Sequence, residues 1–352
     1  MKRALIYTDL QAGEGSERCF KDPTIPLQRY RVSEFYAFIH DLWHEMKCDS
    51  LWDGGDLLDD RTAVPVPTLY TVFDGLSKFR GSLPNNLKLI GNHEMFFKSG
   101  PINSGPAFDG VFNVYAEPKV IQIEGVRVLL CPYPGEGFDL ESWIVRNLLP
   151  DGSPQLVFGH FQVEGTKDRD GRTIDGGVHV SALKNATLTL LGHIHHPQSV
   201  TSTVHYIGSP FQQDFGEANE EKRVAILDLP SLDLMWCGTD GFPTYSVVTL
   251  NEWESLIEGE GDDSENRYRV VLNSKEDHGR YLGHPRMNRA QPVYQGLESS
   301  PEIKSKRSGA AHDSFNPQDI IERYFRSRKP SNLQGLSEAD FVQTGLELLR
   351  SP

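Results

Sequence analysis

The sequence predicts a large α/β domain whose strands belong to a mixed sheet, or to two packed sheets, followed by a small α+β appendage and C-terminal helices. Three observations lead there. Over residues 1–229, short apolar runs alternate with segments of helical spacing. Five of those runs end in polar residues of one chemical kind. Beyond about residue 230 the pattern gives way to an acidic, glycine-rich stretch and then to a segment of linker composition.

The elements follow in order. Residues 3–8 read as a first strand that delivers Asp9 and Gln11 at its C-terminal end. Val32, Phe35, Tyr36, Ile39, Leu42, Trp43 and Met46 keep helical spacing. Residues 50–52 form a second strand, ending in Asp53-Gly54-Gly55-Asp56. Leu69, Val72, Phe73 and Leu76 mark a second helix, and residues 87–90 a third strand that ends in Gly91-Asn92-His93-Glu94. Residues 120–132 alternate about Glu124-Gly125, the pattern of a hairpin. Residues 155–158 run into Gly159-His160, and residues 188–191 into Gly192-His193-Ile194-His195. Strands at 204–207 and 224–229 close the first domain.

A second domain is expected over 230–300, from residues 245–256, an acidic loop at 258–266 and a strand at 268–272. The third segment, 301–352, falls largely to linker composition (298–312) and two amphipathic helices at 316–327 and 337–350. Asn316-Pro317 supplies an N-cap and a proline at the first helical position. Lys304, Lys306, Arg307, Arg323, Arg326, Arg328 and Lys329 make this tail basic.

Composition bounds the function. The chain has 352 residues and a net charge of −14, which argues against coating nucleic acid by charge alone. Acidic residues that hold metal ions are compatible with that charge, because the ions reverse the local field. No apolar run approaches the roughly 18 residues of a membrane span, and the N-terminus lacks a signal-peptide core. Cys19, Cys48, Cys131 and Cys237 are far apart with no Cys-x-x-Cys pair. They are expected as reduced thiols, and the protein as cytoplasmic, in a bacterial cell or a phage-infected host.

The strand ends carry the chemistry: Asp9 and Gln11, Asp56, Asn92 and His93, His160, and His193 with His195. Taken singly, Asp56 reads as a turn aspartate, Asn92 as an αL residue and His160 as a core histidine. Strands that end on one edge of an open α/β sheet build one site, however. Mixed oxygen and nitrogen donors, with one carboxylate free to bridge, suit two divalent ions about 3.5–4 Å apart. Such a pair activates a hydroxide and clamps both oxygens of a phosphoryl displacement.

In order, Asp9-x-Gln11, Gly55-Asp56, Gly91-Asn92-His93-Glu94, Gly159-His160 and Gly192-His193-Ile194-His195 resemble the five motifs of the calcineurin-like metallophosphoesterases, over roughly residues 1–228. The resemblance implies a four-layered sandwich of two mixed sheets flanked by helices. It implies that Asp9, Gln11, Asp56 and His195 hold one ion and that Asp56, Asn92, His160 and His193 hold the other. His93 would not ligate; it would orient the phosphate or protonate the leaving oxygen. Gln11 stands where most members have histidine, and its neutral oxygen shifts the first ion towards Mn²⁺, or Mg²⁺, and away from zinc.

Within the family, Gly54-Gly55-Asp56-Leu57-Leu58-Asp59, the run from Gly192 to Gln198, Gly208-Ser209-Pro210 and Phe215-Gly216-Glu217 resemble the DNA-repair nuclease branch. That branch includes the SbcD component of the SbcCD complex and phage counterparts. The likeness implies a DNA exonuclease or endonuclease, a Gly-Ser-Pro turn near the metals, and a capping domain that helps select DNA. It also implies tail helices that dock on an SbcC-like coiled-coil ATPase, and a homodimer. Two other functions compete: a phosphatase or phosphodiesterase acting on nucleotides or small esters, and a non-catalytic binding or scaffold protein with a weakened metal site.

Overall fold

In the computed structural model, which describes residues 2–82, 85–97, 101–168, 171–261 and 264–294, the first strand is buried on both faces. β1 (Arg3–Tyr7) sends Leu5 and Tyr7 into one apolar cluster and Ala4 and Ile6 into another. A strand apolar on both faces lies between two layers. The first layer is helical: α1 (Leu27–Glu45) buries Val32, Phe35, Tyr36 and Ile39 against β1 and β2 (Ser50–Asp53), with α2 (Val66–Ser77) adding Val72 and Leu76. β3 (Leu87–Leu89) and β4 (Asn113–Tyr115) extend the same sheet.

β5 (Lys119–Ile123) and β6 (Val126–Cys131) form the expected hairpin, with Glu124 and Gly125 at φ +48° and +84°. Positive φ at both central residues suits the primed turns that match strand twist. α3 (Leu140–Asn147), β7 (Gln155–His160), β8 (Leu188–Gly192), β9 (Gln198–Ser199) and β10 (Val204–Tyr206) complete the second sheet and its helical cover. β11 (Arg223–Asp228) and β12 (Asp233–Gly238) return to the first sheet. The sheet orders are β12-β11-β1-β2-β3-β4 and β5-β6-β7-β8-β10-β9.

Both sheets are mixed. β1 to β4 are parallel neighbours, as are β6, β7, β8 and β10, whereas β11, β12, β5 and β9 pair antiparallel. Leu156, Phe158 and Leu190 meet Ile6 and Trp52 between the sheets, while Val157 and Leu191 face Leu140 and Ile144 on the far side. Helices, sheet, sheet and helix therefore stack in four layers, as the resemblance implied.

Beyond the sandwich, β13 (Tyr245–Thr249), α4 (Leu250–Gly259), β14 (Arg267–Leu272), α5 (Lys275–Gly283) and β15 (Ala290–Tyr294) make a three-stranded sheet with two helices. Thr249 and Glu252 cap α4 reciprocally. The sequence run 245–256 thus divides between a strand and a helix. The sandwich also continues past the expected boundary at 229, because β12 pairs with β11 over its whole length. α3 has no counterpart among the sequence expectations: it is short, and its only fully buried residues are Leu140 and Ile144, too few to set a period. The four cysteines are free thiols. Among the described residues no helix is long and apolar enough to cross a membrane. The linker expected at 298–312 and the helices at 316–327 and 337–350 lie outside the described residues.

Candidate metal centre

Parallel pairing aligns strand ends, and those ends carry the candidate residues. Tyr7 pairs with Asp53, and His160 with Gly192, so the loops that follow these strands leave along one edge of each sheet. The loops stay in register: Asp9 N–H donates to Gly55 C=O (2.9 Å), and Gln11 N–H to Asp56 C=O (2.9 Å). All eight candidate residues take part in the cluster that results.

On one side, Asn92 Oδ1 lies 2.8 Å from His193 Nδ1 and 3.3 Å from His160 Nε2, and Asp56 Oδ2 lies 3.3 Å from His160 Nε2. Donor atoms of Asp56, His160 and His193 all fall within 4.8 Å of one another. On the other side, His195 Nε2 lies 3.1 Å from Gln11 Nε2 and 3.9 Å from Asp9 Oδ1. The two histidines of the His-x-His pair therefore divide between the two halves. His93 sits at the rim, its main-chain N–H donating to Asp56 Oδ1 (2.8 Å) and its Nδ1 to Asp59 C=O (2.5 Å).

The backbone is held in an unfavourable conformation to make this cluster. Asp9, Gln11, Asp56 and His193 have φ of +54°, +47°, +55° and +86°, a region that non-glycine residues avoid and that concentrates at functional sites. Gly55 (φ +102°) packs so closely that a Cβ there would sit 2.6 Å from His160 Nδ1, and a Cβ on Gly91 would collide with the Asp56 carboxylate. Glycine before Asp56 and before Asn92 thus provides space that a side chain would fill, and Gly55 a turn as well.

Two buried ion networks brace the loops, and neither is among the sites expected from the sequence. Lys88 Nζ lies 3.0 Å from Asp53 Oδ2 and 2.5 Å from Glu94 Oε1, with all three side chains inaccessible or nearly so. Glu94 in turn accepts from the N–H groups of Gly91 (2.9 Å), Leu57 (3.1 Å) and Asp56 (3.3 Å). A lysine between two leucines of a buried strand is the signal for such a network, since a charge there needs partners. In the second network, Glu217 Oε1 lies 2.8 Å from His195 Nδ1, and Oε2 accepts from Ser209 Oγ (3.1 Å) and Lys222 Nζ (2.8 Å). The Gly-Ser-Pro turn is thus near the cluster, but its serine hydroxyl is buried and directed at Glu217.

The electrostatics follow from burial and pairing. Burial opposes charge on His160, yet the Asp56 carboxylate outweighs it and lifts the pKa to about 9. Burial pushes Asp56 upward, but the same contact with His160 holds it below the usual carboxylate range. Burial and the neighbouring His160 lower His193 to about 4, so its imidazole is neutral at pH 7. Burial alone would raise Glu217; its hydrogen bond to His195 and the Lys222 charge bring it down to about 2.

The donor set fits divalent ions. It offers carboxylate and amide oxygens with imidazole nitrogens. His160 gives its Nδ1–H to Gly54 C=O (2.8 Å) and His195 gives its own to Glu217, so in each ring Nε2 faces the cluster. An oxygen partner on the remote nitrogen is the usual arrangement around metal-ligating histidine.

No protein-family model matches the chain. Over 194 residues, 51% of this chain, it is 25% identical to the SbcD component of nuclease SbcCD from Staphylococcus epidermidis, and it spans about half (50%) the length of that curated relative. Similar solved structures include a dimetal phosphatase from Danio rerio, with a TM-score of 0.41 and 12% identity over 67% of this chain and 95% of that one. An archaeal phosphodiesterase has a TM-score of 0.32 and 10% identity over 67% and 99%. Yfce, a phosphoesterase from E. coli, has a TM-score of 0.31 and 12% identity over 68% and 100%. Over half its length the chain is thus similar to an SbcD sequence, and its ordered motifs, which resemble those of the calcineurin-like metallophosphoesterases, meet at one centre of a four-layered sandwich.

Proposed function

We propose that this chain is a two-metal DNA nuclease that hydrolyses phosphodiester bonds. Asp9, Gln11, Asp56 and His195 would hold one ion, and Asp56, Asn92, His160 and His193 the other, with Asp56 as the bridge. The carrying observation is the convergence of these seven side chains from five strand ends. When bound, the two ions, Mn²⁺ in the first instance, supply Lewis acidity to the phosphate and acidify the attacking water.

The protein's own groups do the rest. Asp56, in left-handed backbone at φ +55°, directs its carboxylate at His160 and the His93 N–H. His93, with Nδ1 tied to Asp59 C=O, presents Nε2 to the phosphodiester and in its protonated form donates to the leaving oxygen. Glu217 and Lys222 fix the His195 ring and main chain, Lys222 Nζ donating to His195 C=O (2.9 Å).

The similarity to an SbcD nuclease sequence supports a polynucleotide substrate. A cleft of about 260 Å³ runs from Gln11 past Gln28 to Tyr245 of the three-stranded sheet, with the carboxylates of Glu17, Asp59 and Asp214 also in its lining. Beyond it the partly exposed Arg269 stacks on Phe215 (4.1 Å), whereas Arg267, stacked on Phe20 (3.6 Å), is buried and paired with Glu265. Arginine interleaved with aromatic rings suits a nucleic-acid strand. The net charge of −14 favours a second reading, a phosphodiesterase of nucleotides or small esters.

Labelled linear DNA and a chromogenic phosphodiester, each incubated with Mn²⁺, separate the two. DNA degradation that falls by about 100-fold or more in His93→Ala supports the nuclease. Turnover of the small ester without DNA cleavage supports the second reading. Silence in both, with no bound metal, returns the chain to a binding or scaffold role. An SbcC-like ATPase partner for the tail and a homodimer complete the proposal.

A further inference from the structure

On the His193 side of the centre, away from the Gln11 cleft, a groove of about 420 Å³ opens between the segment after β6 and the segment after β7. Phe161, 2% exposed, lies in its floor, and Phe138, 44% exposed, stands over it. Tyr133 forms the wall shared with the metal centre, its ring 5.6 Å from that of His193 and 6.4 Å from that of His160. Its main chain is fixed by an N–H to Ile90 C=O bond of 2.8 Å.

Asp139 and Glu141 bring carboxylates to the groove. Asp139 uses Oδ1 to cap α3 at Ser142 N–H, Glu141 uses Oε2 on His179 N–H, and Gln162 donates its amide to Asp175 and Gly176 C=O. An ionised carboxylate offers about four acceptor sites, so both acids retain capacity for further donors. Two carboxylates repel a phosphate and attract amino hydrogens, so the groove selects against the backbone of a polynucleotide and for its bases.

We propose that this groove is a nucleobase subsite: a base next to the phosphate held at the metal centre packs against Tyr133 and Phe138, over Phe161. The inference rests on the proposed hydrolysis of phosphodiester bonds at the metal centre, here called the phosphodiesterase reading whether the substrate is DNA or a small ester, and adds a substrate preference to it. Bases with exocyclic amino groups (adenine, cytosine and guanine) are favoured over thymine, which brings no such donor. Stacking of a base on an aromatic ring is a general source of affinity, and of order tenfold or more per base.

Calorimetric titration of the Mn²⁺-loaded protein with dAMP, dTMP and 2-deoxyribose 5-phosphate tests this. The expected result is dAMP binding about tenfold or more tighter than the abasic sugar phosphate, with dTMP between them. Phe138→Ala is expected to close most of the gap. Equal affinity for dAMP and the sugar phosphate in the wild-type protein overturns the subsite, as does a gap that survives in Phe138→Ala. Hydrolysis of bis(p-nitrophenyl) phosphate on the same preparations separates the two ideas. Hydrolysis without base discrimination overturns the subsite alone, while discrimination without hydrolysis upholds the subsite and overturns the phosphodiesterase reading.

Discussion

Asp56 uses one oxygen to accept from His93 N–H, and its other oxygen faces His160. As the proposed bridge it has no substitute, so Asp56→Asn is expected to take bound Mn²⁺ from two ions per chain to none. Elemental analysis after gel filtration reads this directly, and two retained ions would count against the assignment. His160 adds a pH dependence with a definite sign. Without an ion its pKa is lifted to about 9, so at pH 7 it carries a proton that a metal must displace. Affinity for Mn²⁺ should therefore rise as pH rises from 6 towards 9, by up to about tenfold per unit. Calorimetry in buffers of different ionisation enthalpy should find proton release at pH 7; proton uptake would contradict it.

At the level of the element, what matters is that strands which neighbour in a parallel sense end together. The turns after β2 and β3 are then locked by Glu94 on their amide groups and by Lys88 between Glu94 and Asp53. Lys88→Met leaves two buried carboxylates facing each other and should cost about 3–5 kcal/mol of stability in a denaturant titration. A loss below about 1 kcal/mol would mean that the loops are held by packing alone. The network is only half visible in the sequence. Lys88 announces that a buried strand carries a charge, but its partners lie 35 positions before it and six after, and only β2–β3 pairing makes them adjacent.

For the whole molecule, the four layers keep the two sheets face to face so that loops from both reach one centre. Ile6, Trp52, Phe158 and Leu190 fill the space between them. In the proposed function the C-terminal segment goes to a partner, on the basic residues and apolar periodicity of its sequence. Deleting residues 313–352 should accordingly spare Mn²⁺-dependent hydrolysis, within about twofold, and abolish pull-down of an SbcC-like ATPase. Unchanged pull-down would remove the tail from the partner surface.

The residue types, their order and the strands that end in them are all legible in the sequence, because apolar period and glycine turns are local properties of a chain. Fold class comes from the same signals, as does the hairpin about Glu124 and Gly125. What only the tertiary structure decided is which group faces which. Lys88 lies between Asp53 and Glu94, Ser209 turns inward to Glu217, and Tyr133 and Phe138 line a groove beside His193. Those outcomes depend on distances across two sheets and on left-handed backbone at four residues, and neither has a periodic trace in the sequence. A pKa, a ligand set and a groove are properties of neighbours in space, and folding is what supplies the neighbours.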